Sequence, residues 1–493
     1  MAGKKYDIDT DEADRKTRDA MDEYVKAELS KNWSQEELKK KYDYLMAVTQ
    51  KNFPNLAFTL KFAIAVKTIL NIKGHNLPFI GILLGPPSSL KTFIVGLFKK
   101  YEKHVYYTDN FSPHAMVTHN SALKTKQLKR VDMLPKFRNK MFLTPELSPT
   151  FSLRDDNLLE VLGMLIRIAD GEGFGNDTGA QGHRGYEGEM MFTWLGAAVD
   201  IPYKVHKLLG YLGPKLYFFR LSNTYMTEDD YFNTRNENFS KKKKEVTDAF
   251  LDYLSYFDLN PAIVIEEETE AERMIWNGHA KDDDNETDEE EDNVLPKIEM
   301  FPHLDDEQAH KTIIKLALML KHLRAVVPTF HTYGTQGAEY AYTLPVIEEP
   351  SRAITQMQTL ARGYALSQGR TYITMDDIPL VMHTVLSTAT LERVKLFELL
   401  IKKGGELKTN DICESLGTSP PTARRTMTEL KAAGLVYTTT SEEEEAYHNI
   451  EMGIILKPEF KWFLDKEFAD IQAKLLKEKT SPRRHNDKGK TYE

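Results

Sequence analysis

The sequence predicts an α/β protein: a five-stranded parallel sheet with flanking helices, then a helical lid and a C-terminal winged helix. Three observations carry that reading. Five short apolar runs (Pro78–Leu84, His104–Tyr107, Lys140–Thr144, Met190–Ala198 and Lys215–Leu221) alternate with helix-like segments such as Asp155–Ala169 and Pro202–Leu209. Strands that alternate with helices build parallel sheets, because each crossover needs a helix-sized connection. After the first run comes Gly85-Pro86-Pro87-Ser88-Ser89-Leu90-Lys91-Thr92, which opens into the helical stretch Phe93–Tyr101. The last quarter reads as three helices, Leu391–Lys402, Thr409–Leu416 and Thr418–Ala433, followed by apolar segments Leu435–Tyr437 and Ile450–Leu456 about a polar turn. That is the order of a winged helix-turn-helix.

The 493 residues exceed one ordinary core, so two to four domains are expected; 41% hydrophobic and 10% aromatic content is that of a globular chain. No apolar stretch reaches the roughly 18 residues of a membrane span, and the start Met-Ala-Gly-Lys-Lys lacks a signal-peptide core. The single cysteine, Cys413, excludes an intramolecular disulfide and a cysteine metal cluster, and it suits a reducing cytoplasm.

The net charge of −9 is unevenly spread: residues 266–292 hold fourteen acids and two bases, leaving the remainder at about +3. An acidic insert beside a mildly basic body leaves a nucleic-acid partner open. The expected organisation is a polar, solvated helical extension over 1–52, the α/β core over 53–225 and a helical and acidic, partly disordered insert over 226–304. A helical lid follows over 305–388, then the winged helix over 389–465 and a basic flexible tail over 466–493.

The chemistry starts at Gly85–Thr92. A strand, a glycine turn, Lys-Thr and a helix are the setting of a phosphate-binding loop, in which backbone N–H groups and the positive helix end cradle anionic phosphate. Residues Gly85, Pro86, Pro87, Ser88, Ser89, Leu90, Lys91 and Thr92 would form that cradle, Lys91 reaching the outer phosphates and Thr92 offering its hydroxyl to Mg2+. Leu90 stands where such loops carry a second glycine. An acid at the end of a neighbouring strand should orient metal and water. Met141-Phe142-Leu143-Thr144-Pro145-Glu146 ends in one, so Glu146 is the candidate base and a metal-site residue; otherwise it is a strand-end surface acid. Pro145 occupies the position before it and cannot hold a metal-bound water, which leaves Thr144, Asp109 or Glu146 alone for that task.

The order of phosphate loop, Met141–Glu146 and Phe192–Ala198 resembles the ATPase core of the AAA+ superfamily. By that resemblance Asp200 is the sensor that ends the fourth strand, and Lys215, after Leu212-Gly213-Pro214, stands at the segment of the arginine finger, with Arg220 further along. The lid, from Ser351-Arg352-Ala353 through Leu360-Ala361-Arg362-Gly363-Tyr364 to Thr374-Met375-Asp376-Asp377-Ile378, is similar to that of minichromosome-maintenance (MCM) helicases, which makes Arg352 the second sensor. The resemblance spans roughly residues 55–460 and lacks the N-terminal DNA collar. It implies ATP and Mg2+ as cofactors, a homo-oligomeric ring, a hexamer by analogy, and work on DNA in replication as a helicase or translocase; an ATP-gated DNA-binding initiator or regulator with slow turnover and a protein-remodelling ATPase are the alternatives.

Gly171–Gly188 carries seven glycines in eighteen residues. MCM-type enzymes place a DNA-gripping pore hairpin there, for which His183 and Arg184 are the phosphate-contact candidates; an ordinary loop or a second anion-binding turn is the other reading. In the winged helix, Thr422, Arg424, Arg425 and Lys431 are the DNA candidates. Glu442–Glu445 in the wing would repel a phosphate backbone, and winged helices also serve as protein contacts.

Overall fold

The computed structural model describes residues 33–101, 104–118, 130–178, 182–213, 215–221, 239–260, 264–265, 296–334, 337–439 and 451–479. The five apolar runs are strands β1 (Phe79–Leu84), β2 (Val105–Tyr107), β3 (Met141–Thr144), β6 (Thr193–Ala198) and β7 (Leu216–Arg220). The hairpin of β4 (Gly173–Thr178) and β5 (Gly182–Glu187) precedes β6. The five form one parallel sheet in the order β2-β3-β6-β1-β7. With β1, β3 and β6 buried on both faces, alternation vanishes and the runs read as continuous apolar stretches.

One face is covered by α2 (Ala57–Ile69), buried over almost its whole length, whose Phe62 ring packs on Gly81 of β1. Helix α3 (Lys91–Lys99) shares that face. The other face holds α4 (Asp155–Ile168) and α5 (Tyr203–Leu212). Beyond the sheet come α6 (Phe239–Phe257), the short pair β8 (Val264–Ile265) and β9 (Pro296–Lys297), and the lid helices α7 (Glu307–Leu323), α8 (Ser351–Ser367) and α9 (Ile378–Thr388). The hairpin β10 (Thr329–Gly334) and β11 (Gly337–Tyr342) lies between α7 and α8 and has no counterpart in the sequence reading.

Lid and core share one hydrophobic cluster. Helix α8 crosses α2 at Gly363, where a Cβ would stand 2.8 Å from Ile69 Cγ1; the Thr68 hydroxyl donates to the Gly363 carbonyl at 2.6 Å. Edge strand β7 is closed by α9: Phe218 N–H donates to Thr388 Oγ1 (3.0 Å), Arg220 N–H to Ser387 Oγ (3.0 Å), and His383 Nε2 meets the Arg220 carbonyl at 2.7 Å. An open parallel edge thereby has its polar groups satisfied by side chains rather than by another strand.

Two domain expectations are corrected. The N-terminal extension is not wholly solvated: α1 (Gln35–Asn52) buries Leu38, Tyr42 and Leu45 and packs on α6, with Tyr42 edge-on to Tyr253. Part of the expected flexible tail is helix α13 (Lys466–Lys479), which buries Phe468, Ile471 and Leu475 against α9; three apolar residues on one helix face outweigh its many charges. The acidic insert at 266–292, the Glu442–Glu445 run and residues 480–493 lie outside the described residues. No helix among the described residues is long and apolar enough to cross a membrane.

Candidate nucleotide and DNA sites

The carboxyl end of the sheet gathers most of the candidate chemistry. Gly85 leaves β1, the Glu146 loop leaves β3, Asp200 follows β6 and Arg220 ends β7. The loop root is clasped from both sides: Gly85 N–H donates to the Ala198 carbonyl at 3.3 Å, and Leu221 N–H to the Leu84 carbonyl at 2.7 Å.

The loop turns back through two left-handed residues, Ser88 (φ 64°) and Leu90 (φ 63°). Leu90 therefore adopts the conformation the missing glycine would take, at a cost of about 1–2 kcal/mol for an L-residue. Its carbonyl receives the N–H groups of Phe93 (3.0 Å) and Ile94 (3.3 Å), so the strained residue also starts α3. Lys91 is only 5% exposed, and its ammonium donates to Gly85 O (2.6 Å), Pro86 O (2.9 Å) and Ser89 Oγ (3.2 Å). Burial lowers its pKa, and the negative charge of Glu146 opposes that shift, which puts the acid within electrostatic reach of the amine. Thr92, one residue on, is exposed.

Glu146 is held rather than loose: Ser148 N–H donates to its Oε1 at 2.8 Å, while Leu147 N–H bonds the Ala197 carbonyl at 2.7 Å. Thr144, an alternative for the metal task, has its hydroxyl occupied by Trp194 Nε1–H at 2.8 Å. Asp109 follows the outermost strand, three strand spacings from β1, or about 14 Å, and accepts from the Tyr107 hydroxyl at 2.6 Å. Of the candidates for the metal task, Thr92 within the loop and Glu146 within electrostatic reach of Lys91 remain. Pro86 and Pro87 carry no N–H, Ser89 N–H is bonded to the Pro86 carbonyl at 3.3 Å, and Phe93 and Ile94 N–H are bonded to Leu90, so an anion held by this loop would draw its backbone donors from Ser88, Leu90, Lys91 and Thr92.

Asp200 is paired with Arg220 (Nη1 to Oδ1, 2.9 Å). The sequence reading noted Arg220 without choosing it; its place as the last residue of a strand parallel to β1 was the available signal. Lys215 and Arg352, by contrast, sit at the amino end of the sheet, away from their own phosphate loop. Lys215 precedes β7, and both cations converge on Asp170 at the end of α4; Lys215 bonds it directly and Arg352 Nη1 reaches it at 2.9 Å. Burial works to raise the Asp170 pKa, but hydrogen bonds from Lys215 and Arg352 hold it below its ordinary value. Neither cation touches the Gly85–Thr92 loop.

The glycine-rich segment is the β4–β5 hairpin, with Gly175 opposite Gly185. Arg184, the expected DNA-phosphate contact, donates through Nη2 to Asp132 Oδ2 at 2.6 Å. Asp132 is fully buried and also accepts from the Tyr186 hydroxyl (2.7 Å) and Thr118 N–H (2.6 Å). The guanidinium neutralises a buried charge and anchors the hairpin root. His183 belongs to β5, and its side chain lies outside the described residues.

The C-terminal module contains α10 (Leu391–Lys402), α11 (Thr409–Leu416) and α12 (Pro420–Ala432) with the sheet β12-β14-β13 (Glu406–Lys408, Gly453–Leu456, Val436–Thr438). Gly417, at φ 63°, makes the left-handed turn between α11 and α12. Ala423, Met427 and Leu430 fix α12 in the core. Of the DNA candidates, Arg425 is exposed but leans on Glu429 (3.8 Å), which also holds buried Arg393 (3.1 Å). Thr422 is half-buried with its hydroxyl 3.0 Å from Ser419; Arg424 and Lys431 are half-buried and engaged.

The DeoR-like helix-turn-helix domain family matches residues 393–439, which places this module, though not the whole chain, in a described class. Among curated proteins none matches the chain.

Proposed function

We propose that this protein is a P-loop ATPase of AAA+ type with an MCM-like lid, which binds ATP–Mg2+ at Gly85–Thr92 and acts on DNA through its helix-turn-helix module. The observation that carries the reading is the loop after the central strand: two left-handed residues, a lysine folded onto its carbonyls, and a held acid across the sheet. The sheet order β2-β3-β6-β1-β7 supports it by bringing the ends of β3 and β6 beside the loop. Lys91 and the loop N–H groups would bind phosphate, and Thr92 and Glu146 would hold Mg2+, which supplies charge neutralisation to phosphoryl transfer. Glu146 would take the proton of the attacking water. Lys215 and Arg352, sharing Asp170 away from the loop, suit a ring, a hexamer by analogy, in which each subunit presents them to its neighbour's nucleotide.

Two modes of action remain distinct. A translocase or helicase in replication is favoured by the hairpin before β6. An ATP-gated DNA-binding regulator with slow turnover is favoured by the DeoR-like match, by Pro145 in the metal half of the site and by Leu90. An ATPase assay with and without single- and double-stranded DNA, with native mass measured plus and minus nucleotide, tests the reading. DNA-stimulated turnover abolished by Glu146→Gln, with strand displacement, supports the motor. Slow turnover with ATP-dependent DNA retention supports the regulator. Absence of nucleotide binding sinks both.

A further inference from the structure

We propose that Arg220 grips the terminal phosphate of a nucleoside triphosphate held at Gly85–Thr92, and that Asp200 holds the guanidinium when that phosphate is absent. The inference rests on the nucleotide-binding reading and adds to it a residue in the same subunit that distinguishes triphosphate from diphosphate.

Position is the first ground. Arg220 pairs in register with Leu84, the last residue of β1, so its Cα stands beside the point where the loop departs. Its backbone cannot drift, because Ser387 accepts from its N–H and His383 meets its carbonyl, both from a buried face of α9. Lys215 and Arg352, the two cations assigned by resemblance, are at the other end of the sheet. Among the five residues that end the strands at the sheet's carboxyl edge, Arg220 is the cationic one, and Lys91 in the loop is already bonded to loop carbonyls.

The second ground is spare bonding capacity. A guanidinium presents five N–H donors in a planar fork suited to phosphate. Arg220 makes one side-chain hydrogen bond, to Asp200, and its Nε–H is buried with no partner among the described residues. A buried N–H left unpaired is unfavourable, and a second acceptor would remove that cost.

The third ground is the weakness of the present partner. Asp200 is 62% exposed, and water and salt screen an ion pair so open to solvent. A doubly charged terminal phosphate offering two acceptors to one fork outcompetes a solvated carboxylate that uses one. Exchange of partner needs a side-chain rotation and no movement of the sheet.

The test is equilibrium titration of the full chain with ADP and with a non-hydrolysable ATP analogue, read by displacement of a fluorescent nucleotide, alongside thermal melts of every variant. Arg220→Ala should weaken the triphosphate analogue by about tenfold or more and ADP by no more than about twofold. Arg220→Lys should fall between, since an ammonium keeps the charge and loses the fork. Asp200→Asn should raise triphosphate affinity severalfold, because the carboxylate that competes for the guanidinium is gone. Equal losses for both nucleotides in Arg220→Ala, no loss for either, or no gain in triphosphate affinity in Asp200→Asn would overturn the assignment. Wild type that binds neither nucleotide, or Lys91→Ala that binds both as wild type does, sinks the nucleotide-binding reading and this proposal with it. Wild-type binding lost in Lys91→Ala but insensitive to Arg220→Ala sinks this proposal alone.

Discussion

Leu90 offers a direct test of the loop. At φ 63° and ψ 19° it holds a conformation that costs an L-residue about 1–2 kcal/mol, while its half-buried side chain packs on the core. Replacing it with glycine removes that strain. The gain is offset by glycine's extra unfolded-state entropy, about 0.5–1 kcal/mol, and by about 1 kcal/mol of lost half-burial. Leu90→Gly should therefore stay within about 1 kcal/mol of wild type and keep its nucleotide affinity. Leu90→Val should behave otherwise, because a β-branched residue resists the left-handed region while losing little apolar area. The loop must then deform, dragging the carbonyl that starts α3 through Phe93 and Ile94. A loss of about 1–3 kcal/mol is expected, together with a marked fall in nucleotide affinity. Urea unfolding followed by tryptophan emission gives the first number, and fluorescent nucleotide titration the second. A Leu90→Val protein as stable and as tight as wild type would refute the claim that a left-handed residue shapes this loop.

Other outcomes follow from the charged clusters. Asp170 titrates below its usual value of 3.8 in the folded chain, so its share of stability is complete above that pH and is lost as pH falls through the folded value. Asp170→Asn should lower neutral-pH stability by about 1–3 kcal/mol and flatten the melting-temperature decline below pH 4; an unchanged acid limb would remove Asp170 from that balance. Arg184→Met leaves Asp132 buried without its cation and should cost about 3–5 kcal/mol, with no change in the salt dependence of DNA binding per folded molecule. A stable Arg184→Met protein with a shallower salt slope would return Arg184 to the DNA surface.

Much of the core was legible because β1, β3 and β6 are fully buried and β7 nearly so. Such strands read as apolar runs, and all five fall inside the runs seen in the sequence. The three C-terminal helices were legible from their apolar spacing, with Gly417 in a left-handed turn and Pro420 in a first helical turn separating the last two. The β10–β11 hairpin was missed although Gly334 and Gly337 flank a two-residue connection between residues rich in Thr and Tyr; neighbouring helical patterns masked it. Helix α13 was hidden by its lysines, although Phe468, Ile471 and Leu475 keep helical spacing. Partners of isolated charges were not legible. Nothing near Arg184 announces Asp132, fifty-two positions away, and nothing near Lys215 announces that Arg352 shares its carboxylate. Charge type is a local property of sequence, while charge pairing is made by the fold.

The hydrogen bonds that join α9 to the edge of β7 bear on how force would pass through this molecule. Ser387, Thr388 and His383 stitch the third lid helix along the strand that ends in Arg220. Helix α8 is locked just as closely to α2 at Gly363. Two such seams tie these helices to the sheet at both of its ends rather than leaving them on a single hinge. On the proposed nucleotide reading, a shift at the Gly85–Thr92 end would be felt through them at the opposite end, where Lys215 and Arg352 share Asp170.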